Sequence, residues 1–190
     1  MGRLIFAMNA SLDGYVCDER GGFAWSEPSE EVHTYFNGLT ARTGTLLYGR
    51  RIYEVMAVWE TLGDEPDAPP VVREFADAWR RADKIVYSTT LTAPAAANTW
   101  LARAFDPEQI RELKDFGEHD IGIAGPTLAA HALRAGLVDE VQVMTLPVLV
   151  GGGTRMFPDR LRLDLDLLET RVFDTGAMLV RYQVKGGREG

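Results

Sequence analysis

One stretch of the sequence decides the fold: Thr45-Leu46-Leu47-Tyr48-Gly49-Arg50-Arg51-Ile52-Tyr53-Glu54. The residues before Gly49 favour a β-strand, and the apolar residues at positions 52, 55, 56 and 59 recur at the spacing of one helical face. A strand that turns at a glycine into a helix is the repeating unit of α/β domains. We therefore predict a mixed α/β fold.

Arg50 and Arg51 lie at the predicted start of that helix. Free backbone N–H groups and the positive end of the helix dipole point outward there, so a phosphate would meet them together with the two guanidinium groups. This pattern indicates a nucleotide site. The alternative is that Gly49 only lets the chain turn and that both arginines are solvated.

Seven segments have strand character. The first four are short apolar runs without clean alternation, which favours central strands that are covered on both faces. The last two alternate in polarity around a turn at residues 174–176 and predict an antiparallel hairpin at the end of the sheet. The predicted strands are residues 3–8, 45–49, 84–88, 121–124, 140–146, 167–173 and 178–184.

Helical patterns occupy the gaps between the central strands. The apolar residues at positions 72, 75, 76 and 79 follow two prolines that suit a helix start. Asp106 and Pro107 supply an N-cap and a first-turn proline, and another helix follows Gly125 and ends near Gly136. At 190 residues the chain suits one domain, which we place at residues 1–185 with a flexible tail at residues 186–190.

Composition narrows the classes of partner and compartment. A net charge of −8 and a pI near 4.9 argue against a nucleic-acid surface, although local arginines can still attract an anionic small molecule. The single cysteine, Cys17, excludes an internal disulfide and fits a reducing compartment. The first apolar run is too short for a leader or a membrane span, so we expect a cytoplasmic protein that starts at its first strand.

Two further turns at strand ends favour the nucleotide interpretation. Gly125 and Pro126 follow one central strand, and the N–H of Thr127 behind them would be available to an anion. Ser88 and Thr89 follow another, where hydroxyls can bind a ribose or its phosphate. Each turn alone is also explained by ordinary turn chemistry. Because open α/β sheets bind ligands at the carboxyl edge of their strands, the three turns together favour a ligand site.

Several familiar sites are absent from the sequence. Neither G-x-G-x-x-G after the first strand nor G-x-x-x-x-G-K-[ST] occurs, and there is no G-x-S-x-G elbow. His33, His119 and His131 lack metal-ligand spacing, so we expect no catalytic metal. Asp13, in the turn after the first strand, is a candidate to hold a polar substrate or to help deliver a proton. The alternative is that its carboxylate only stabilises that turn.

The motifs in this order resemble the dihydrofolate reductase-like superfamily, and within it the RibD C-terminal family, the reductase domain of the bifunctional riboflavin-biosynthesis deaminase/reductase. The resemblance spans roughly residues 3–184 and implies a mostly parallel central sheet flanked by helices. It rests on Ala10-Ser11-Leu12-Asp13-Gly14, Leu47-Tyr48-Gly49-Arg50, Ser88-Thr89-Thr90-Leu91, Ala124-Gly125-Pro126-Thr127-Leu128 and Pro147-Val148-Leu149-Val150-Gly151-Gly152-Gly153-Thr154-Arg155-Met156-Phe157.

This resemblance implies NADPH, with NADH as the alternative, bound across the carboxyl edge of the sheet. Family members often carry an arginine where this chain has Thr89, so a preference for NADPH would depend on the two arginines after Gly49. The implied contacts are Gly49, Arg50 and Arg51 for the cofactor phosphates, Ser88 and Thr89 for the adenosine end, Gly125, Pro126, Thr127 and Leu128 for the pyrophosphate, and Gly151 and Gly152 for the nicotinamide.

The resemblance also implies an activity. Asp13, the catalytic candidate, would lie at the substrate end, with the irregular residues 18–29 as its partial cover. The reaction would be hydride transfer from NADPH to a C=N or C=O group of a small heterocyclic or sugar-derived substrate, similar to that of 5-amino-6-(5-phosphoribosylamino)uracil reductase in riboflavin biosynthesis. The alternatives are a non-catalytic nucleotide- or ligand-binding protein of the same fold and a dihydrofolate reductase.

Two expectations concern the assembly. The chain lacks the H-x-E and C-x-x-C of the zinc deaminase that accompanies the riboflavin reductase, so it is not bifunctional. The family implies a homodimer, and the apolar terminal hairpin is the candidate interface.

Overall fold

A computed structural model describes residues 1–185. Residues 186–190, where the sequence predicts a flexible tail, lie outside this range. The strands in chain order are β1 (Leu4–Ser11), β2 (Tyr15–Cys17), β3 (Thr43–Gly49), β4 (Asp83–Tyr87), β5 (Thr99–Ala102), β6 (Asp120–Ala124), β7 (Glu140–Leu146), β8 (Thr154–Arg155), β9 (Leu165–Val172) and β10 (Met178–Val184).

Five α-helices lie in four of the connections between consecutive strands of residues 1–185. Short 3₁₀ turns occur at Ala24–Ser26 and Ala57–Glu60. Within residues 1–185, no helix is both long and apolar enough to cross a membrane. The α-helices are α1 (Glu30–Arg42), α2 (Arg50–Met56), α3 (Pro70–Arg81), α4 (Pro107–Phe116) and α5 (Pro126–Arg134).

Eight strands form one sheet in the order β5-β4-β3-β6-β1-β7-β10-β9. The first six are parallel to one another, so their carboxyl ends lie at the same edge of the sheet. β10 pairs antiparallel with both β7 and β9, so the predicted terminal hairpin completes the sheet. The α/β fold with a mostly parallel central sheet and a terminal hairpin is confirmed.

Packing on both faces explains why the central strands show no alternation of polarity. Leu47 of β3 lies in the core on the face covered by α4 and α5, together with Leu128. Tyr48, the next residue, packs on the opposite face with Tyr53 of α2 and Trp79 of α3. Successive strand residues point to opposite faces, so a strand covered on both sides is apolar at every position.

The sequence patterns do not predict β2, β5 and β8, and they end the first strand at residue 8 rather than at Ser11. The three missing strands have three, four and two residues, too few to show a hydrophobic period. Their pairing comes from distant residues: Thr99 of β5 lies opposite Lys84, and Tyr15 of β2 lies opposite Arg155. Such strands depend on partners that a local pattern does not reveal.

A chain of ion pairs crosses five neighbouring strands on the side of the sheet away from the carboxyl edge. Arg3, just before β1, contacts Asp120 of β6 at 2.6 Å and Glu140 of β7 at 2.9 Å. Arg181 of β10 contacts the same Glu140 at 2.7 Å and Glu169 of β9 at 2.6 Å. Glu140 is 1% exposed, and its hydrogen bond to Arg181 is the main cause that raises the pKa of that guanidinium above its ordinary value. The two arginines therefore compensate a buried carboxylate.

Helix α1 joins this network through neutral groups. The Tyr35 hydroxyl donates to Gln142 Oε1 at 2.6 Å, and Gln142 Nε2 donates to Glu140 Oε1 at 2.7 Å. Burial raises the pKa of Tyr35 to about 12, so its hydroxyl remains a neutral donor. The network thus fixes the helix that covers this half of the sheet.

We expect Glu140→Gln to destabilise the protein by about 2 kcal/mol, because the buried group loses its charge-assisted hydrogen bonds to Arg3 and Arg181, while Arg3 keeps Asp120 and Arg181 keeps Glu169. Urea unfolding monitored by tryptophan fluorescence measures this loss. Asp166→Asn, which removes the exposed pair between Asp166 and Lys185, is the matched control and should leave the unfolding midpoint unchanged. Equal midpoints for Glu140→Gln and the control would contradict the proposed importance of the network.

Candidate functional site

The three turns singled out in the sequence lie side by side at the carboxyl edge. Gly49 at the end of β3 is opposite Tyr87 of β4, and Tyr48 is opposite Ala124 of β6. The segments that follow these residues are therefore neighbours along the edge. A Cβ atom added at Gly125 would lie 3.9 Å from the Gly49 backbone nitrogen. The turns after β3, β4 and β6 are therefore neighbours at the carboxyl edge, as the sequence predicts.

The helices that follow β3 and β6 leave the sheet in opposite directions. Tyr53 of α2 packs on the face with Trp79, whereas Leu128 of α5 packs on the face with Ile110. Two adjacent parallel strands whose following helices lie on opposite faces leave a crevice between their carboxyl ends, which is where open α/β sheets bind ligands. Gly49 and Gly125 lie at this crevice.

Neither helix at the crevice has a side-chain N-cap. The N-cap residues are Gly49 for α2 and Gly125 for α5, and neither has a side chain that could accept a hydrogen bond from a first-turn N–H. By contrast, Ser29 caps α1 and Asp106 caps α4. The first-turn N–H groups of α2 and α5 therefore keep their donor capacity, which favours an anion at this position.

Gly125 brings the two helix starts together. Its φ is 96°, a conformation that side chains disfavour, and an added Cβ would lie 3.2 Å from Ile52 Cγ2. Of the three residues behind it, Pro126 has no N–H, Thr127 is exposed and Leu128 has its side chain in the core. Three donors of this turn are then available to an anion: the N–H and hydroxyl of Thr127 and the backbone N–H of Leu128.

The turn after β4 is held by its own serine. Ser88 is 8% exposed, and its Oγ accepts the N–H groups of Thr90 at 3.2 Å and Leu91 at 2.9 Å. Thr89, between them, is exposed. The structure therefore uses Ser88 to shape the turn and leaves the Thr89 hydroxyl toward solvent.

Arg50 and Arg51 differ in their surroundings. Arg50 Nε donates to Glu54 Oε1 at 2.7 Å, and its Nη1 donates to Thr90 Oγ1 at 2.6 Å. Arg51 is exposed and has no ion pair among residues 1–185. The charge of Arg50 is thus partly compensated within the protein, whereas that of Arg51 is not.

A third arginine at this edge does not follow from the sequence patterns. Arg103 comes directly after β5, and its Nη1 donates to the carbonyl oxygens of Ser88 at 2.9 Å and Leu91 at 2.7 Å. Its position depends on β5, whose end is joined to the turn by the hydrogen bond from Ser88 N to Ala102 O. A sequence analysis that identified β5 as the neighbour of β4 would have placed Arg103 beside Ser88.

The sheet edge has a step between β6 and β1. β1 pairs with β6 only as far as Phe6 opposite Ile123, but it pairs with β7 as far as Ser11 opposite Leu146. At a strand rise of about 3.3 Å, residues 7–11 extend roughly 16 Å past the last pair with β6. β1 and β7 therefore form a wall beside the crevice at Gly125.

Two buried polar atoms near this wall have no partner among residues 1–185: Asn9 Oδ1 and Trp25 Nε1. Asn9 lies on the extended part of β1, and its Nδ2 donates to Ser26 O at 3.2 Å. Residues 18–29 therefore contact the wall through Ser26, and their role as a partial cover of the substrate stays a prediction. An unpaired buried acceptor and donor cost free energy unless a ligand or water satisfies them, which makes this a candidate binding region.

Asp13 holds the glycine segment after β7. Its carboxylate accepts hydrogen bonds from Ser11 Oγ at 2.6 Å, Val150 N at 3.2 Å and Gly151 N at 2.8 Å. The bond from Ser11 is the main cause that lowers the pKa of Asp13. The carboxylate is therefore an ionised acceptor that positions Gly151, and a catalytic role for Asp13 stays a prediction.

Gly152 and Gly153 pack against the end of β2 and the residues that follow it. An added Cβ at Gly152 would lie 2.8 Å from Glu19 Oε1, and one at Gly153 would lie 2.0 Å from Cys17 O. The Gly151 N–H is already bound to Asp13. The glycines thus permit close approach of two loops beside the wall, and their contact with a nicotinamide stays a prediction.

Solved structures share this architecture. A putative riboflavin biosynthesis protein from Shewanella sp. PV-4 superposes with a TM-score of 0.75 and 24% identity, covering 96% of this chain and 99% of that chain. A dihydrofolate reductase from Enterococcus faecalis, complexed with NADP(H), superposes with a TM-score of 0.64 and 18% identity, covering 96% of each chain. The fold is that of the dihydrofolate reductase-like proteins.

The sequence comparison gives the family. Residues 3–179 match the RibD C-terminal domain. The uncharacterized protein YyaP of Bacillus subtilis (strain 168) is 25% identical over 186 residues, which cover 97% of this chain and 96% of YyaP. The chain belongs to the RibD C-terminal domain family.

We expect Asp13→Asn to raise the hydrogen–deuterium exchange rates of the Val150 and Gly151 amides, because an amide group cannot accept all three hydrogen bonds. Asp159→Asn, a change at an exposed carboxylate, is the control and should leave those rates unchanged. Since the folded-state pKa of Asp13 is lowered, the wild-type protection should persist above about pH 4 and be lost as pH falls through that pKa. Unchanged exchange in Asp13→Asn would contradict the anchoring role.

Proposed function

We propose that this protein is an NADPH-dependent reductase acting on a small heterocyclic or sugar-derived substrate. The observation that carries the proposal is the pair of helix starts without side-chain caps, at Gly49 and Gly125, which meet at the crevice between β3 and β6. Two such starts offer backbone donors and favourable dipole ends to a pyrophosphate. Membership of a reductase family and the fold shared with an NADP(H)-bound reductase support the proposal.

The residues present fit a dinucleotide. The N–H groups of Thr127 and Leu128 and those of the first turn of α2 would hold the pyrophosphate, with Arg51 as an uncompensated cation nearby. The cradle needs Gly125, because a Cβ there would approach Ile52. When bound, NADPH supplies the hydride. The protein contributes binding, orientation and a shielded region beside the β1 wall.

The two unpaired atoms suggest which groups the substrate carries. Asn9 Oδ1 accepts and Trp25 Nε1 donates, so the pair suits a molecule that presents both a donor and an acceptor, as a ring with N–H and C=O groups does. The reducible C=N or C=O carbon would lie beside such a ring. 5-Amino-6-(5-phosphoribosylamino)uracil has this chemistry and is the first substrate to test, with dihydrofolate as the second.

We expect Gly49→Asp to weaken NADPH binding without loss of fold stability. An aspartate at this N-cap would take the free N–H groups of α2 and repel a phosphate, lowering cofactor affinity roughly tenfold or more. The backbone at Gly49 has φ −72°, which any residue adopts, and an added Cβ meets only Leu128 Cβ at 3.9 Å. Titration of NADPH followed through the four tryptophans measures the affinity.

Gly49→Ala is the matched control, since it adds the Cβ without a capping group or a charge. It should keep affinity within a few-fold of the wild type. Equal affinity in Gly49→Asp and Gly49→Ala, or no saturable response of the wild type to either nicotinamide cofactor, would contradict the proposal. Binding of NADPH without turnover of any candidate substrate would favour the non-catalytic binding protein instead.

We also propose that two copies pair through the outer edge of β9. β9 is the last strand of the sheet, and Leu167 is 59% and Val172 70% exposed. The charged residues of β9 are already paired within the chain: Asp166 with Lys185, Glu169 with Arg181 and Arg171 with Glu31. A long edge strand with exposed apolar side chains would otherwise invite uncontrolled association, and two-fold antiparallel pairing with a second copy covers it.

Leu167→Lys should convert the dimer into a monomer, because a lysine on an edge strand opposes pairing of that edge. Light scattering after size-exclusion chromatography measures the mass in solution. Phe116→Lys changes another exposed apolar residue, 86% exposed and on α4, and should leave the dimer intact. A monomeric wild-type protein, or dissociation by both variants alike, would contradict an interface at β9.

A further inference from the structure

We propose that Arg103, rather than Arg50, recognises the 2′-phosphate that distinguishes NADPH from NADH. This inference rests on the proposed function, since it assigns one group of the cofactor to one residue of the same edge.

The sheet brings Arg103 to the adenosine end of the crevice. β5 is parallel to β4, with Ala102 opposite Tyr87, so Arg103 and Ser88 follow neighbouring strand ends. Ser88 is separated from Gly125 by two strand spacings, about 10 Å. A ribose whose pyrophosphate lies at Gly125 would therefore reach the turn that contains Thr89.

The guanidinium of Arg103 is held in place before any ligand arrives. Its Nη1 donates to the carbonyl oxygens of both Ser88 and Leu91, which fixes the plane of the group against the turn. Nε and Nη2 have no acceptor within residues 1–185 and remain available. A cation whose rotamer is already fixed loses less entropy on binding, and a planar guanidinium can bind a phosphate through two N–H groups.

The charge of Arg103 is not compensated by a carboxylate within residues 1–185. Its two acceptors are neutral carbonyls, and no carboxylate pairs with it in the part of the chain that the structure describes. Asp106, an acidic residue close to it in sequence, accepts the N–H of Glu108 at the start of α4. The exposed side chain of Arg103 is therefore a net positive centre beside the turn.

Arg50 lies on the other side of the same turn and is less suited to this role. Its Nε is paired with Glu54 at 2.7 Å, so a phosphate approaching Arg50 would also meet a carboxylate. Its Nη1 is bound to Thr90 Oγ1. Arg50 thus fixes Thr90, while Arg103 fixes the carbonyls of Ser88 and Leu91. Thr89, in the same turn, is exposed, and of these two arginines Arg103 supplies the uncompensated charge.

The test compares Arg103→Gln, Arg103→Lys and Arg50→Gln in the full-length protein. Dissociation constants are measured for NADPH, NADH, adenosine 2′,5′-bisphosphate and adenosine 5′-monophosphate. We expect Arg103→Gln to weaken both 2′-phosphorylated ligands roughly 10- to 100-fold, as loss of a charged hydrogen bond predicts, and to change NADH and the monophosphate less than about twofold. Arg103→Lys should lose less, because the charge remains. Arg50→Gln should affect both cofactors alike.

Arg81→Gln is the matched control, since Arg81 is exposed and lies where α3 leads into the opposite end of β4. It should change none of the four constants. Equal losses for NADPH and NADH in Arg103→Gln would show that Arg103 only supports the turn and would overturn the inference. So would loss of the NADPH preference in Arg50→Gln, or a wild type that binds the two cofactors equally. Failure of the wild type to bind either cofactor would overturn the proposed function as well.

Discussion

The buried carboxylate of Glu140 is the constraint on which the rest of the structure depends. Glu140 begins β7 and is 1% exposed. It contacts Arg3, which directly precedes β1, and Arg181 of β10. An unpaired charge at this depth would be costly, so an arrangement of the three strands that keeps both arginines on Glu140 is favoured over one that does not. The same strands continue to the carboxyl edge, where β1 and β7 form the wall of the candidate site. The site is therefore aligned by ion pairs at the other side of the sheet.

Much of the fold could be predicted because each long strand carries its own signal. The apolar run that ends at Gly49 and the alternation around residues 174–176 define a central strand and a hairpin without knowledge of any partner. β5 and β2 lack such a signal, since a strand of three or four residues is fixed by the neighbour it joins. Local sequence patterns therefore predict the long strands, and they miss short strands that form only beside a particular partner strand.

The candidate site divides in the same way. The glycine turns at Gly49 and Gly125 could be predicted, because a turn between a strand and a helix is local and its edge follows from parallel topology. The roles of single side chains could not. Ser88 faces its own turn, Asp13 anchors a segment from β7, and Arg103 arrives from a strand with no sequence signal. Each of these depends on contacts between distant parts of the chain, whereas the pairing of Arg50 with Glu54 is an i, i+4 relation visible in the sequence.

The step between β6 and β1 has a consequence for selectivity. Beyond Phe6, no strand within residues 1–185 pairs with β1 on the side toward β6, so the main-chain groups of residues 7–11 on that side form a sheet edge inside the protein. Backbone N–H and C=O groups need partners wherever water is scarce. If the protein is the reductase that we propose, a flat ring of the substrate with an amide edge would pair with these groups much as another strand does. Such recognition of a ring would depend on backbone groups, so substitutions of the side chains of residues 7–11 would affect it little.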